Sequence, residues 1–290
     1  MVLRNGFLAL AGLFLCFTAC NVINPDESIP SYLRIDKIEY IDSVTNLPAK
    51  DIVHKFSDAW VFIDDQFVGV YPLPANFPVF YEGEHKVSVS PGILKNGISS
   101  TRIAYPFFTQ YNSQVKFSKE TETVVIPKTT YIPSTKYKFV EDYENTSSGF
   151  DTVNNLSDVK LDRTNISDQV FQGTFSGMVT LIDTLDRFFI QTTAEYTFAK
   201  KIFPTYLEIN YNSEVDLQIG MYANNGGAVN IIPKIGLRST NGTWRKVYID
   251  LSAEITEFDP RTKFRIFIKA DKPSDIAKAV FYLDNIKLVF

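Results

Sequence analysis

From Tyr32 onward, apolar and polar residues alternate in short runs, and Gly, Pro, Asn or Asp punctuates the sequence between them. Period-two alternation belongs to strands buried on one face, and no segment carries the 3.6-residue period of a convincing amphipathic helix. The pattern predicts an all-β chain. Its 24 Phe and 15 Tyr agree, because aromatic rings pack well on a pleated surface. The runs fall on either side of a break at Ile132-Pro133-Ser134-Thr135-Lys136. Before it, strands are expected at Leu33–Tyr40, Ala59–Ile63, Gln66–Tyr71, His85–Ser90, Ile103–Phe108, Gln114–Phe117 and Glu122–Ile126, with Asp64-Asp65 as a hairpin turn. After it they are expected at Tyr137–Tyr143, Gln169–Thr174, Gly177–Leu181, Phe188–Thr192, Tyr206–Tyr211, Asp216–Tyr222, Val229–Ile235, Trp244–Asp250, Lys263–Lys269 and Ala279–Phe290. Two β-sandwich domains follow, a small one over 32–133 and a jelly roll over 134–290.

The start of the chain has another character. Arg4, an apolar run from Phe7 to Phe17 and small residues before Cys20 describe a secretory signal, too short for a comfortable transmembrane helix. Phe17-Thr18-Ala19-Cys20 resembles the lipobox of bacterial lipoproteins, with Phe where Leu is usual. The resemblance implies a signal peptide over 1–19, lipidation of Cys20 including an acyl chain of the palmitate type, and membrane attachment by more than one chain. Residues 20–31, with Asn24-Pro25 and Ile29-Pro30, read as a tether. The acidic pair Asp26-Glu27 is similar to the signal that sends Bacteroidetes lipoproteins to the outer face of the outer membrane, so a surface-exposed outer-membrane location is expected.

Cys16 leaves with the leader, so Cys20 becomes the only thiol, and disulfides and cysteine zinc sites are excluded. Any histidine metal site or Ser-His-Asp triad would have to use His54 or His85. The formal charge of −4 becomes one unit more negative once Arg4 is removed. Nucleic acid is therefore not an expected partner.

Two longer segments carry resemblances. Trp60 to Leu73, followed by Glu82-Gly83-Glu84-His85-Lys86-Val87-Ser88-Val89-Ser90-Pro91-Gly92, resembles the small surface-layer and carboxypeptidase-regulatory-like sandwiches, which are spacers and docking modules. Glu141-Asp142-Tyr143-Glu144, Trp244-Arg245-Lys246-Val247-Tyr248-Ile249-Asp250-Leu251 and Phe281-Tyr282-Leu283-Asp284-Asn285-Ile286-Lys287-Leu288-Val289 together resemble the carbohydrate-binding-module-like, galactose-binding-like jelly rolls. That resemblance implies a structural Ca2+ held by Glu144 (less certainly Glu141) and Asp284, completed by carbonyls and water. It also implies stacking of sugar on exposed rings, for which position selects Tyr211, Tyr222 and Trp244; at least two must share one concave face. Burial in the core is the plainer role for each.

Glu214-Val215-Asp216-Leu217-Gln218-Ile219 is similar to the Glu-x-Asp-x-x-Glu strand of laminarinase-type jelly-roll glycoside hydrolases, but Gln218 and Ile219 stand where the second carboxylate belongs. No enzyme is expected. Asp183 and Asp186 read as a polar hairpin turn. Asp42-Ser43-Val44, Asp151-Thr152-Val153 and Asp183-Thr184-Leu185 resemble Bacteroidetes O-glycosylation acceptors. The leading functional expectation is a non-enzymatic, lipid-anchored accessory subunit that docks a protein of an outer-membrane transport or assembly complex, and it requires a broad exposed apolar patch. The alternatives are a cell-surface glycan binder and a divergent glycoside hydrolase.

Overall fold

The computed structural model describes residues 28–41, 55–198, 204–227 and 229–290. The leader, Cys20, the acidic pair, Ser43 and His54 lie outside the described residues. The all-β expectation holds: among the described residues a single short helix, α1 (Ser252–Thr256), interrupts the strands.

Ten strands form the N-terminal part: β1 (Ser31–Ile35), β2 (Glu39–Tyr40), β3 (Asp58–Ile63), β4 (Gln66–Pro72), β5 (Ala75–Val79), β6 (Gly83–Leu94), β7 (Arg102–Ala104), β8 (Tyr111–Phe117), β9 (Glu122–Val124) and β10 (Lys128–Thr129). A sheet of order β5-β1-β9 stands against one of order β4-β3-β6-β7, to which β8 adds by pairing with β6. Between them lie Leu33, Ile35, Val61, Ile63, Val87 and Val89, each with no exposed surface. The turn at Asp64-Asp65 has φ of 50° and 62°, the two left-handed residues of a type I′ hairpin. Asp tolerates this because its short side chain bonds locally; here Asp64 accepts from the Lys86 N–H at 3.0 Å and meets His85 Nδ1 at 2.6 Å. β5 is an unexpected strand. Pro78 masks it in the sequence, and it is tolerated because β5 is the edge of its sheet.

The C-terminal sandwich contains β11 (Tyr137–Glu141), β12 (Phe150–Thr152), β13 (Asp162–Thr164), β14 (Ser176–Ile182), β15 (Arg187–Thr192), β16 (Tyr206–Ser213), β17 (Leu217–Asn224), β18 (Val229–Leu237), β19 (Arg245–Asp250), β20 (Lys263–Asp271) and β21 (Lys278–Val289). One sheet runs β13-β14-β21-β16-β19, with β11 also on β21; the other runs β12-β15-β20-β17-β18. We call them the seam sheet and the open sheet. Their inner faces enclose the main core, including Leu181, Phe188, Leu207, Ile219, Ile268 and Phe281.

Three sequence expectations change here. Gln169–Thr174 is turn rather than strand, because its backbone N–H groups go to local partners instead of a ladder: Gln169 to the Ile166 carbonyl, Phe171 to the Ser176 hydroxyl, and Gln172 and Thr174 to the Asp284 and Glu144 carboxylates. Asp183-Thr184 is a tight turn closed by reciprocal Ile182–Leu185 backbone bonds, but β14 and β15 belong to different sheets, so the turn carries the chain across the sandwich instead of joining a hairpin pair. Glu214 to Asp216 is the corner between β16 and β17, not the start of a strand.

The two sandwiches are welded along the outer face of the seam sheet. All eight residues of β16 are buried, because Leu207 and Ile209 face the core while Tyr206 and Glu208 face the N-terminal part. Glu208 has no exposed surface; its carboxylate accepts from Tyr105 at 2.8 Å and Tyr131 at 2.9 Å and lies 3.1 Å from Lys246 Nζ. Burial drives the Lys246 ammonium down to about 8, against the opposing pull of Glu208, and drives the Tyr105 and Tyr131 hydroxyls well above their ordinary value. The rings of Tyr105, Phe107, Phe108, Tyr206 and Tyr248 close around this group. Beside it, the β6–β7 hairpin caps the free edge of β19. Asn96 N–H donates to the Tyr248 carbonyl at 2.8 Å, Asp250 N–H to Asn96 Oδ1 at 2.8 Å, and Lys95 pairs with Asp250 at 3.4 Å.

Candidate functional site

Among the described residues, no domain lies against the outer face of the open sheet. Residues directly opposite one another in a ladder share a face. Register therefore gathers Phe189, Lys269 and Gln218 in one row, Gln191, Phe267, Gly220 and Pro233 in the next, and Arg265, Tyr222 and Ile231 in a third. Lys263, Asn224 and Val229 follow. Alternation sends the intervening residues, Phe188, Ile190, Met221, Ile266 and Ile268, into the core.

Three rings meet at the centre of this face. Phe189 and Phe267 stack with centroids 5.2 Å apart, and Tyr222 lies 5.2 Å from Phe267 and 6.2 Å from Phe189. Phe267 lies across Gly220. A methyl group at Gly220 would overlap the Phe267 ring and stand 2.5 Å from the Ile232 carbonyl oxygen, so glycine is what lets the ring lie down. Phe189 and Phe267 are buried as a floor, whereas Tyr222 is partly exposed. Beyond Tyr222 the surface stays apolar, with Ile231 62% and Val229 57% exposed. A shallow depression of about 220 Å³ sits here, with Tyr222 and Val229 among its walls and Gln191, Asn224 and Arg265 at its margin. Glu195 holds Lys263 at 3.1 Å and reaches Arg265 at 3.8 Å, which fixes the charged side of the depression. An apolar ring ringed by amides and a guanidinium presents both a stacking surface and donors and acceptors for hydroxyl groups.

The three rings selected by sequence do not meet. Tyr211 is 5% exposed inside the main core, with its hydroxyl donating to the Arg238 carbonyl at 3.3 Å. Trp244 precedes β19 of the seam sheet, half-buried with Phe171 at 5.2 Å and Tyr282 at 6.3 Å. Only Tyr222 lies on the open face. Its partners Phe189 and Phe267 were legible in phase but not in character. Each lies in an apolar run, Phe188-Phe189-Ile190 or Ile266-Phe267-Ile268, where the alternate position must point away from the core.

The carboxylates named for calcium are occupied by N–H and O–H donors. Glu144 accepts from Thr174 N–H at 2.8 Å and Phe175 N–H at 3.0 Å, and Glu141 accepts from Tyr143 N–H at 2.9 Å and Gly149 N–H at 2.6 Å. Asp284, 1% exposed, accepts from the Ser176 hydroxyl at 2.6 Å, Asn285 N–H at 2.7 Å and Gln172 N–H at 3.3 Å. Burial outweighs these bonds and pushes Asp284 up to about 6. Among the described residues no three His, Cys, Asp or Glu gather to hold a metal ion.

The hydrolase segment is taken up in structure as well. Glu214 accepts from Val280 N–H at 2.6 Å, and Asp216 binds Arg238 and Ser239 N–H at 2.8 and 2.9 Å. Both sit at the β16–β17 corner rather than on the open face.

No family model matches the chain, and no curated protein matches it. Solved structures similar to it are β-sandwich carbohydrate-binding modules. One, described as a module of the β-sandwich superfamily with promiscuous specificity, is 13% identical over 91% of this chain and 99% of that one, with a TM-score of 0.40. A family 29 module from Piromyces equi is 16% identical over 54% of this chain and 91% of its own, with a TM-score of 0.35. The N-terminal tandem of family 22 modules from Paenibacillus barcinonensis Xyn10C is 14% identical over 53% of this chain and 45% of that one, with a TM-score of 0.38.

Proposed function

We propose that this chain is a non-catalytic, lipid-anchored glycan-binding protein whose binding surface is the outer face of the open sheet. The observation that carries the reading is the Phe189-Phe267-Tyr222 cluster. A buried aromatic floor presents one partly exposed ring between Gln191, Gln218, Asn224 and Arg265. Tyr222 stacks on the C–H face of a pyranose, while the amides and the guanidinium bind its hydroxyls. The docking reading called for one broad apolar patch. Exposed apolar side chains such as Phe67, Phe80, Val124 and Ile166 occur on both sandwiches, and Val229 and Ile231 adjoin Tyr222 itself. Lipidation at Cys20 and outer-membrane attachment are part of the proposal and rest on the leader.

Affinity electrophoresis of the soluble chain starting after Cys20 through gels containing neutral polysaccharides tests it. At least one polysaccharide should retard the protein, and Tyr222→Ala should lose most of that retardation while keeping the wild-type circular dichroism spectrum. Equal retardation of both proteins, or none in a broad panel, would overturn the reading.

A further inference from the structure

A cavity lies where the two sandwiches and their connection meet, away from the open face. Its volume is about 720 Å³, within the range of small-molecule sites, and junctions of this kind are common places for them. Phe107 reaches it from the N-terminal sandwich, Ile132 from the connection, Phe198 and Phe290 from the C-terminal sandwich and Ile255 from α1. These side chains make the walls apolar. The polar lining consists of hydroxyls, including Ser134, Thr135, Thr197 and Ser252, and two ammonium groups, Lys136 and Lys138. Among the described residues, none of the lining side chains is a carboxylate.

Among the described residues neither Lys136 nor Lys138 has an ion-pair partner, and Lys138 Nζ instead sits over the rings of Phe290 and Phe198 at 5.1 and 5.7 Å. A cation held over two aromatic faces at the rim of an apolar chamber is placed for the anionic end of an amphipathic molecule. Thr135 adds a second sign: its Oγ1 is buried without a hydrogen-bond partner at the same wall. An unpaired buried hydroxyl is costly and is satisfied by a polar group entering the cavity.

We propose that the junction cavity binds an alkyl-chain carboxylate, with the chain against Phe107, Ile132, Phe198 and Ile255 and the carboxylate at Lys138 and Lys136. The site is separate from the glycan face and does not depend on it. Dodecanoate, kept below its micellar concentration, is the probe, with dodecanol as the uncharged control of equal length. Calorimetry on the soluble chain should give one dodecanoate per chain. Lys138→Ala should weaken it about tenfold, dodecanol should bind at least tenfold less well, and Thr197→Trp, which fills the mouth, should abolish binding. Tyr222→Ala should leave dodecanoate affinity unchanged. No dodecanoate binding, equal affinity for the alcohol, or indifference to both Lys138→Ala and Thr197→Trp would overturn the proposal.

Discussion

The two sheets of the C-terminal sandwich share one core and differ in what lies on their outer faces. On the seam sheet, β16 and β19 place Glu208, Lys246 and Tyr248 against a second sandwich, and Glu208 finds its partners inside the protein, in Tyr105, Tyr131 and Lys246. On the open sheet, β17 and β20 place Tyr222, Arg265 and Lys269 at a surface that, among the described residues, no domain covers. The same period-two strand thus yields a covered face and an uncovered one. The difference is made by what covers it: burial turns a glutamate into a weld, and exposure leaves a tyrosine available.

Cutting the weld should have the largest effect. Glu208→Ala leaves the Lys246 ammonium buried without its counter-charge and strips two tyrosine hydroxyls of their acceptor, so urea unfolding should show a loss of about 3–5 kcal/mol. A loss below about 1 kcal/mol would show that the two faces are not as different as described.

Asp284 provides the next largest effect, through pH. Its folded value of about 6 lies above the unfolded carboxylate value of 3.8, so the native state holds this proton more tightly. The contribution is complete below about pH 4, is lost as pH rises through about 6, and amounts to roughly 3 kcal/mol by linkage. Asp284→Asn does not titrate, so the stability difference between variant and wild type should shift in favour of the variant between pH 4 and 6.5. A difference that stays flat across that window would refute the assignment.

On the open face, Gly220→Ala forces Phe267 off the sheet. A cost of about 1–3 kcal/mol is expected in thermal unfolding, with loss of glycan retardation. Tyr222→Ala should change stability by less than about 1 kcal/mol because its ring is partly exposed, while binding falls roughly tenfold or more. A Tyr222→Ala variant that unfolds as readily as Glu208→Ala would erase the contrast between the faces.

Strands of the sandwiches were legible because alternation is a local signal, and the turn at Asp64-Asp65 was legible because turn chemistry is local too, although its I′ type was not, with Asp standing where Gly is usual. Glu208 was not, since a glutamate within Tyr206-Leu207-Glu208-Ile209 looks like the wet side of a strand until a second domain is known to cover it. The aromatic site was half legible. Tyr222 stood out by position, but Phe189 and Phe267 looked like core residues, and only the phase of their strands sends them outward. The connection Ile132 to Lys136 read as a break, whereas Ile132, Ser134, Thr135 and Lys136 form part of a cavity wall.

The hairpin between β6 and β7 bears on how far this protein can be divided. By occupying the edge of β19 through Asn96, it stops that strand from offering its backbone to another copy of the chain. A fragment beginning at residue 134 would keep its core and its open face. It would also expose the β19 edge together with Tyr206, Tyr248 and Val289, a combination that favours strand-to-strand association. The C-terminal sandwich is therefore not portable, because its neighbour covers an edge and an apolar face that would otherwise be exposed.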